Sequence, residues 1–162
     1  MTQGEGLRVW QAIIDRLRRY RAAETPPEGT RYGAPLTVFP RLGQRSFRIV
    51  VTDTYDRRCA VTGERTLPVL EAAHIKPYAA GGAHNITNGL LLRSDIHTLF
   101  DRGYVTVTTD YRLEVSRRIR EEYENGRDYY ALSGLELRLP KAEIARPDPT
   151  LLDWHNRHRF LD

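Results

Sequence analysis

The chain has almost no cysteine. Cys59 is the only one among 162 residues. A single thiol cannot form a disulfide within the chain, and it cannot supply the several cysteine ligands of a structural zinc knuckle. We therefore expect a disulfide-free fold that apolar packing holds together, with no structural zinc.

Long apolar stretches are also missing. No run reaches the roughly 18 apolar residues that would predict a membrane-spanning helix. The start of the chain, MTQGEGLRVW, lacks the basic start and apolar centre of a secretory signal. The two absences predict a cytoplasmic protein with no membrane partner.

Lysine is scarce although the chain is basic. The net charge is +4, and only Lys76 and Lys141 among the 25 basic residues are lysines. Arginine forks match phosphate oxygens and stack on bases, which favours a nucleic-acid partner. A solvated surface in a protein from a GC-rich genome explains the same bias equally well, so composition leaves both interpretations open.

The hydrophobic pattern predicts an α+β fold in two regions. Residues 1–35 form the first region, with an amphipathic helix over 7–23 and then a linker rich in proline and glycine. Residues 36–162 form the second. Its predicted helices cover 43–59, 94–103 (with Ser94 as N-cap), 117–126 and 151–160, and its predicted strands cover 67–75, 89–93 and 134–140, with a hairpin over 104–116.

Residues that carry chemistry lie around the first two predicted strands. His74 ends an apolar strand and precedes a connection that contains Gly81 and Gly82. His97 and Asp101 are four residues apart on a predicted helix, so both can reach one cation. This arrangement suits phosphodiester hydrolysis, because an imidazole can take a proton from water while a metal ion neutralises the phosphate and the leaving oxygen.

The spacing of three of these residues resembles a known family. His74 begins the segment HIKP, Asn88 follows after the two glycines, and His97 comes next on the helix. This pattern is similar to the His-Asn-His (HNH) endonuclease motif, and the similarity to its restriction-type bacterial branch extends over about residues 41–160. The resemblance implies a ββα-metal finger flanked by helices and a β-hairpin.

The resemblance also implies roles for these residues. His74 matches the general base that activates water, and Asn88 matches the asparagine that pins an Ω-shaped loop and orients that base. His97 matches a metal ligand on the helix, and Asp101 occupies the place of a second ligand. The ion implied is divalent, Mg²⁺ first, with Mn²⁺ or Ni²⁺ as alternatives.

The function implied is a metal-dependent DNA endonuclease in restriction or phage defence. Two other functions remain open, an RNA-cleaving toxin or effector and a non-catalytic nucleic-acid-binding module. One active site of this kind cuts one strand. We therefore expect a homodimer or a fused or partner specificity domain where both strands are cut.

The sequence departs from the family pattern at two places. Many members carry a metal ligand directly before the base, where this chain has Ala73. We hypothesise that Glu71, two residues earlier on the same strand face, supplies the missing oxygen, with a salt bridge to an arginine as the alternative. Three of the four zinc-knuckle positions hold other residues, which are Thr62, Arg93 and Ile96. Packing of Ile96, Leu99 and Phe100 against the 43–59 helix is expected to replace the zinc.

Basic residues near the finger are the predicted DNA contacts. They are Arg41, Arg45, Arg48, Arg93 and Lys76. Arg93 is expected to be free to face phosphate because no zinc ligand is needed there. His84 lies in the loop and is expected to face solvent, and His155 and His158 are interpreted as packing or surface residues.

Overall fold

The computed structural model describes residues 43–162. The helix and linker predicted for 1–35, the boundary between the two predicted regions, and Arg41 lie outside the described residues. The helices are α1 (Gln44–Thr54), α2 (Ser94–Asp101), α3 (Arg118–Tyr123), α4 (Arg127–Tyr130) and α5 (Pro149–His158), and the strands are β1 (Leu70–His74), β2 (Gly89–Arg93), β3 (Val105–Val107) and β4 (Leu113–Val115).

A two-stranded sheet followed by a helix forms the centre of the fold. β1 and β2 pair antiparallel, with Leu70 opposite Arg93 and His74 opposite Gly89. The apolar run of β2 is buried throughout, because α1 and α2 both pack against this sheet. α2 begins at the residue after β2 ends, so the order is strand, loop, strand, helix. The predicted ββα finger is therefore confirmed, and the fold class is α+β.

One apolar core joins the finger to the helix before it. Phe47 and Val51 of α1 are buried in the same core as Ile96 and Phe100 of α2. Leu99 is partly buried and packs against this core. The packing expected in place of a zinc is thus present, and it runs through the β1–β2 sheet that both helices contact.

The single cysteine takes part in this packing. Cys59 is fully buried, and the backbone N–H of Arg93 donates a hydrogen bond to its sulfur at 3.3 Å. The next residue, Ala60, donates its N–H to the carbonyl of Leu91 at 2.7 Å. Backbone hydrogen bonds to β2 therefore fix the segment around Cys59 against the sheet.

A β-hairpin follows the finger, as the alternating pattern predicted. β3 and β4 pair antiparallel, with Val105 opposite Val115 and Val107 opposite Leu113. α5 packs on β3, where the side chain of Thr106 lies 2.8 Å from Nδ1 of His155. Within residues 43–162 no helix combines the length and the apolar character needed to span a bilayer.

Four local predictions differ from the structure. β1 begins at Leu70, since the preceding Leu67–Val69 forms a 3₁₀ turn that contains a proline. Ser94 is the first residue of α2, while Arg93 holds the N-cap position and no side chain caps the helix. The predicted 134–140 strand makes only one bridge, between Arg112 and Glu136.

The fourth difference concerns two predicted helices that were too long. α1 ends at Thr54 because Asp56 and Arg57 adopt left-handed backbone angles, with φ of 53° and 57°. The predicted 117–126 helix is α3 alone, which ends at Tyr123 before the left-handed residues Glu124 and Gly126, and α4 begins after the predicted range. An α-helix cannot continue through left-handed residues, so each helix ends there.

Candidate active site

Three elements of the finger and its flanking helix face one cleft of about 700 Å³. β1 contributes Glu71, Ala72 and His74, and α2 contributes His97 and Asp101. The remaining residues along the cleft come from α1, the loop after β1 and the chain after α5. They are Arg45, Phe47, Arg48, Pro77, Tyr78 and Arg159. The structure therefore brings the predicted base and the predicted metal ligands to the same cavity.

The predicted base is half-buried under an aromatic ring. Phe47 of α1 stacks on the His74 imidazole, with ring centroids 3.9 Å apart and an interplanar angle of 11°. Burial, which has the largest effect, and the nearby imidazoles of His84 and His97 together lower the pKa of His74 to about 4. His74 is therefore neutral near pH 7 and keeps a lone pair that can accept a proton.

The loop between the strands is held by one side chain. Asn88 is buried, and its Oδ1 accepts a hydrogen bond from the N–H of Lys76 at 2.8 Å. Its Nδ2 donates to the carbonyls of Lys76 and Ala83, both at 2.9 Å. These three bonds tie the start of the loop, just after His74, to its middle and its end. Asn88 therefore holds the loop closed, and its predicted role in orienting His74 as a base stays a prediction.

The loop can close this tightly because one position lacks a side chain. A Cβ atom at Gly82 would lie 1.8 Å from the carbonyl oxygen of Lys76 and 3.0 Å from Nδ2 of Asn88. Only glycine allows two backbone segments to approach so closely. Glycine is needed at position 81 for a different reason, since Gly81 ends a 3₁₀ turn with a left-handed φ of 83°.

Each of the two nitrogens of the His97 ring contacts a carboxylate. Nδ1 lies 2.6 Å from Oε2 of Glu71, and Nε2 lies 3.3 Å from Oδ2 of Asp101. Ala73, beside the base, is fully buried and does not line the cleft. The structure thus brings Glu71 to the predicted ligand, and among residues 43–162 its charged contact is this histidine and not an arginine.

Glu71, His97 and Asp101 are side chains of the types that bind a divalent metal ion. Hard divalent ions accept carboxylate oxygens and imidazole, and Mg²⁺ keeps several water ligands when few protein groups bind it. Within residues 43–162, no three His, Cys, Asp or Glu side chains already stand in the arrangement of a metal site. His97, Glu71 and Asp101 instead satisfy one another, so a ring nitrogen of His97 becomes available once its carboxylate partner turns away.

The predicted DNA contacts separate into two groups. Arg45 is exposed, as is Arg48, and both line the cleft, joined by Arg159, which the sequence reasoning did not identify. Lys76 places its ammonium 5.2 Å from the centre of the Trp154 ring. The expectation that Arg93 is free is wrong, because its guanidinium makes two hydrogen bonds to Asp95, at 2.7 and 2.8 Å.

Arg93 also lies away from the predicted base. It lines a separate cavity together with Thr62 and Arg65. The bidentate pair with Asp95 positions the guanidinium at the opposite end of β2 from Gly89, which is the partner of His74. The structure therefore does not bring Arg93 to the cleft, and its predicted contact with DNA stays a prediction.

Besides Arg159, three residues around His74 were not found from the sequence. His84 was expected to face solvent, yet its Nδ1 lies 2.9 Å from Nε2 of His74. Tyr78 stacks on His84, and Phe47 covers His74. No spacing rule links these residues, since they come from a helix and from two places in an irregular loop. By contrast His155 is buried in the core, as the packing interpretation predicted.

Known proteins resemble this chain at two levels. Residues 59–108 match a family model described as HNH endonuclease. Among solved structures, the chain is similar to one titled "Modification dependent TagI restriction endonuclease", with a TM-score of 0.53 and 23% sequence identity. That likeness covers 72% of this chain but 38% of the other, so it shows a shared fold over part of a longer protein. No curated protein matches the chain.

Proposed function

We propose, from the match of residues 59–108 to a family model described as HNH endonuclease, that this chain is a metal-dependent endonuclease acting on DNA. One observation carries the proposal. His74 and the group formed by Glu71, His97 and Asp101 line the same cleft. A neutral base and a set of metal-ligand side chains that line one cavity suit the hydrolysis of a phosphodiester.

His74 acts as the general base in this proposal. Its pKa of about 4 keeps it unprotonated over the neutral pH range, so it is ready to accept a proton from water. Asn88 keeps the loop closed, and Phe47 limits the rotation of the imidazole by stacking on it. A positioned base of this kind contributes about 10²–10⁴-fold to the rate.

A divalent ion would be held by His97 together with Asp101 or Glu71, and Mg²⁺ is proposed, with Mn²⁺ or Ni²⁺ as substitutes. The two carboxylates contact different nitrogens of His97. We therefore expect an ion bound at Nδ1 to be held with Glu71, and an ion bound at Nε2 to be held with Asp101. When bound, the ion supplies neutralisation of the phosphate and of the leaving oxygen.

The substrate class follows from charge at the cleft. Arg45, Arg48 and Arg159 can contact phosphates through guanidinium forks, which makes binding strongly dependent on salt. Because the similar TagI structure is titled a modification-dependent restriction enzyme, we propose a role in restriction or phage defence in the cytoplasm. Comparing cleavage of modified and unmodified plasmid tests whether this chain shares the dependence on modification.

Nicking of supercoiled plasmid tests the proposed reaction. Wild-type protein and His74→Ala are compared in Mg²⁺, Mn²⁺ and EDTA, with the exposed His158→Ala as the matched histidine control. We expect cutting by wild type and by the control in metal, and a loss of at least about 100-fold in His74→Ala. Equal cutting in EDTA, or unimpaired cutting by His74→Ala, would contradict the mechanism.

The same assay separates the other two functions. Degradation of RNA with intact plasmid would identify an RNA-cleaving effector. Salt-dependent DNA binding with no cutting in any metal would identify a binding module. The reason to consider this function is Ala73, which stands where many family members have a metal ligand. One active site cuts one strand, so nicked circles are expected before linear DNA unless two chains act together.

A further inference from the structure

The predicted base has a second histidine as its partner. Nε2 of His74 lies 2.9 Å from Nδ1 of His84, within hydrogen-bonding distance. The ring centroids are 4.9 Å apart and the rings meet edge to face, at 64°. The contact therefore occupies Nε2 of His74, and the other ring nitrogen, Nδ1, takes no part in it.

A hydrogen bond between two neutral imidazoles needs one donor and one acceptor. If His74 donates from Nε2, its lone pair is on Nδ1, and that nitrogen can take a proton from water. If His84 donates instead, Nδ1 of His74 carries the hydrogen and His74 has no free lone pair. The orientation of this single bond thus decides whether His74 can act as a base.

His84 is held in place from two sides. The Tyr78 ring stacks on it nearly in parallel, at 9° and with centroids 5.2 Å apart. The residue before it, Ala83, accepts a hydrogen bond from Asn88 through its carbonyl. The loop that Asn88 closes therefore carries His84 to His74 as well as fixing the strand end where His74 lies.

We infer that His84 is a positioning residue, which accepts the Nε2–H of His74 and so keeps Nδ1 of His74 free to take the proton of the attacking water. The inference rests on the function proposed above. In the step itself an O–H bond of water breaks, its proton binds Nδ1 of His74, and the electron pair forms the new bond to phosphorus while the leaving oxygen departs. The imidazolium that results donates a charge-assisted hydrogen bond to His84.

Histidine variants test the inference by their kinetics. His84→Ala removes the acceptor, and we expect kcat for nicking to fall about 10–100-fold, by analogy with the loss of partners that orient metal-bound histidines, with KM unchanged. His84→Gln offers an amide oxygen in place of the ring nitrogen and is expected to restore most of kcat. An equal loss in both variants, or full activity of His84→Ala beside an inactive His74→Ala, would overturn the inference.

A spectroscopic measurement makes the test independent of activity. Long-range ¹H–¹⁵N correlation of histidine-labelled full-length chain, without DNA and at neutral pH, reports which nitrogen of each ring carries hydrogen. Wild type should show His74 protonated at Nε2 and bare at Nδ1, and His84→Gln should keep this pattern. A wild-type His74 protonated at Nδ1 overturns the inference, and this measurement decides the matter even if His84→Ala does not fold.

The two levels of proposal fail in different ways. If wild type and His74→Ala nick plasmid equally, or neither does, the proposed function fails whatever the tautomer. If His74→Ala alone is inactive and His84→Ala is not impaired, only the role of His84 fails.

Discussion

Replacing Asn88 by alanine should open the loop that follows the proposed base, His74. The substitution removes three hydrogen bonds, of 2.8, 2.9 and 2.9 Å. Two of the groups left without a partner, the N–H and the carbonyl of Lys76, are partly buried, whereas Ala83 is exposed and its carbonyl can bind water. Each buried group left without a partner costs about 1–3 kcal/mol.

The expected loss follows from these two groups. We expect the free energy of unfolding to fall by about 3 kcal/mol, which is a large share of the roughly 5–15 kcal/mol of an ordinary domain. Nicking should fall by a similar order as in His74→Ala, since His74 and His84 both depend on the closed loop. Urea unfolding measures the first quantity and plasmid nicking the second.

Asn85 provides the matched control in the same loop. It makes a single hydrogen bond from its side chain, with the N–H of Thr87 at 3.3 Å. We expect Asn85→Ala to cost less than about 1 kcal/mol and to leave nicking nearly unchanged. Equal stability losses in the two variants, or a fully active Asn88→Ala, would refute the assignment of the loop to Asn88.

Three further outcomes are expected. Gly82→Ala should impair nicking strongly and cost about 1–3 kcal/mol, because its Cβ would meet a backbone carbonyl at 1.8 Å. Gly81→Ala meets no atom within 4 Å and should show only the cost of a left-handed residue, about 1 kcal/mol. Burial lowers the pKa of His155 to about 4 from an ordinary 6.5, so the unfolded chain binds its proton first as the pH falls. The free energy of unfolding should therefore lose about 3 kcal/mol between pH 6.5 and pH 4, and this slope should weaken in His155→Gln in urea titrations at several pH values. Glu71→Gln should weaken metal binding measured by calorimetry. If Glu71→Gln keeps its metal affinity and its cleavage activity while His97→Ala loses both, Glu71 is not a ligand.

The finger could be predicted from the sequence because its parts are close along the chain. Two short strands, the loop between them and the helix that follows are consecutive, so the spacing of His74, Asn88 and His97 already implies their arrangement. The hairpin was predictable for the same reason, since alternation on both sides of a turn specifies local pairing. Helix ends were less predictable, because left-handed residues such as Asp56 and Glu124 are rare outside glycine.

The sequence by itself therefore indicated the ββα order, the proposed base His74 and the candidate ligands on α2. Only the tertiary structure decided how they are partnered. Phe47 reaches His74 because α1 packs across the β1–β2 sheet, and His84 reaches it because Asn88 folds the loop back. Such contacts depend on the angle between elements and on the path of an irregular loop, and neither leaves a periodic signal along the chain.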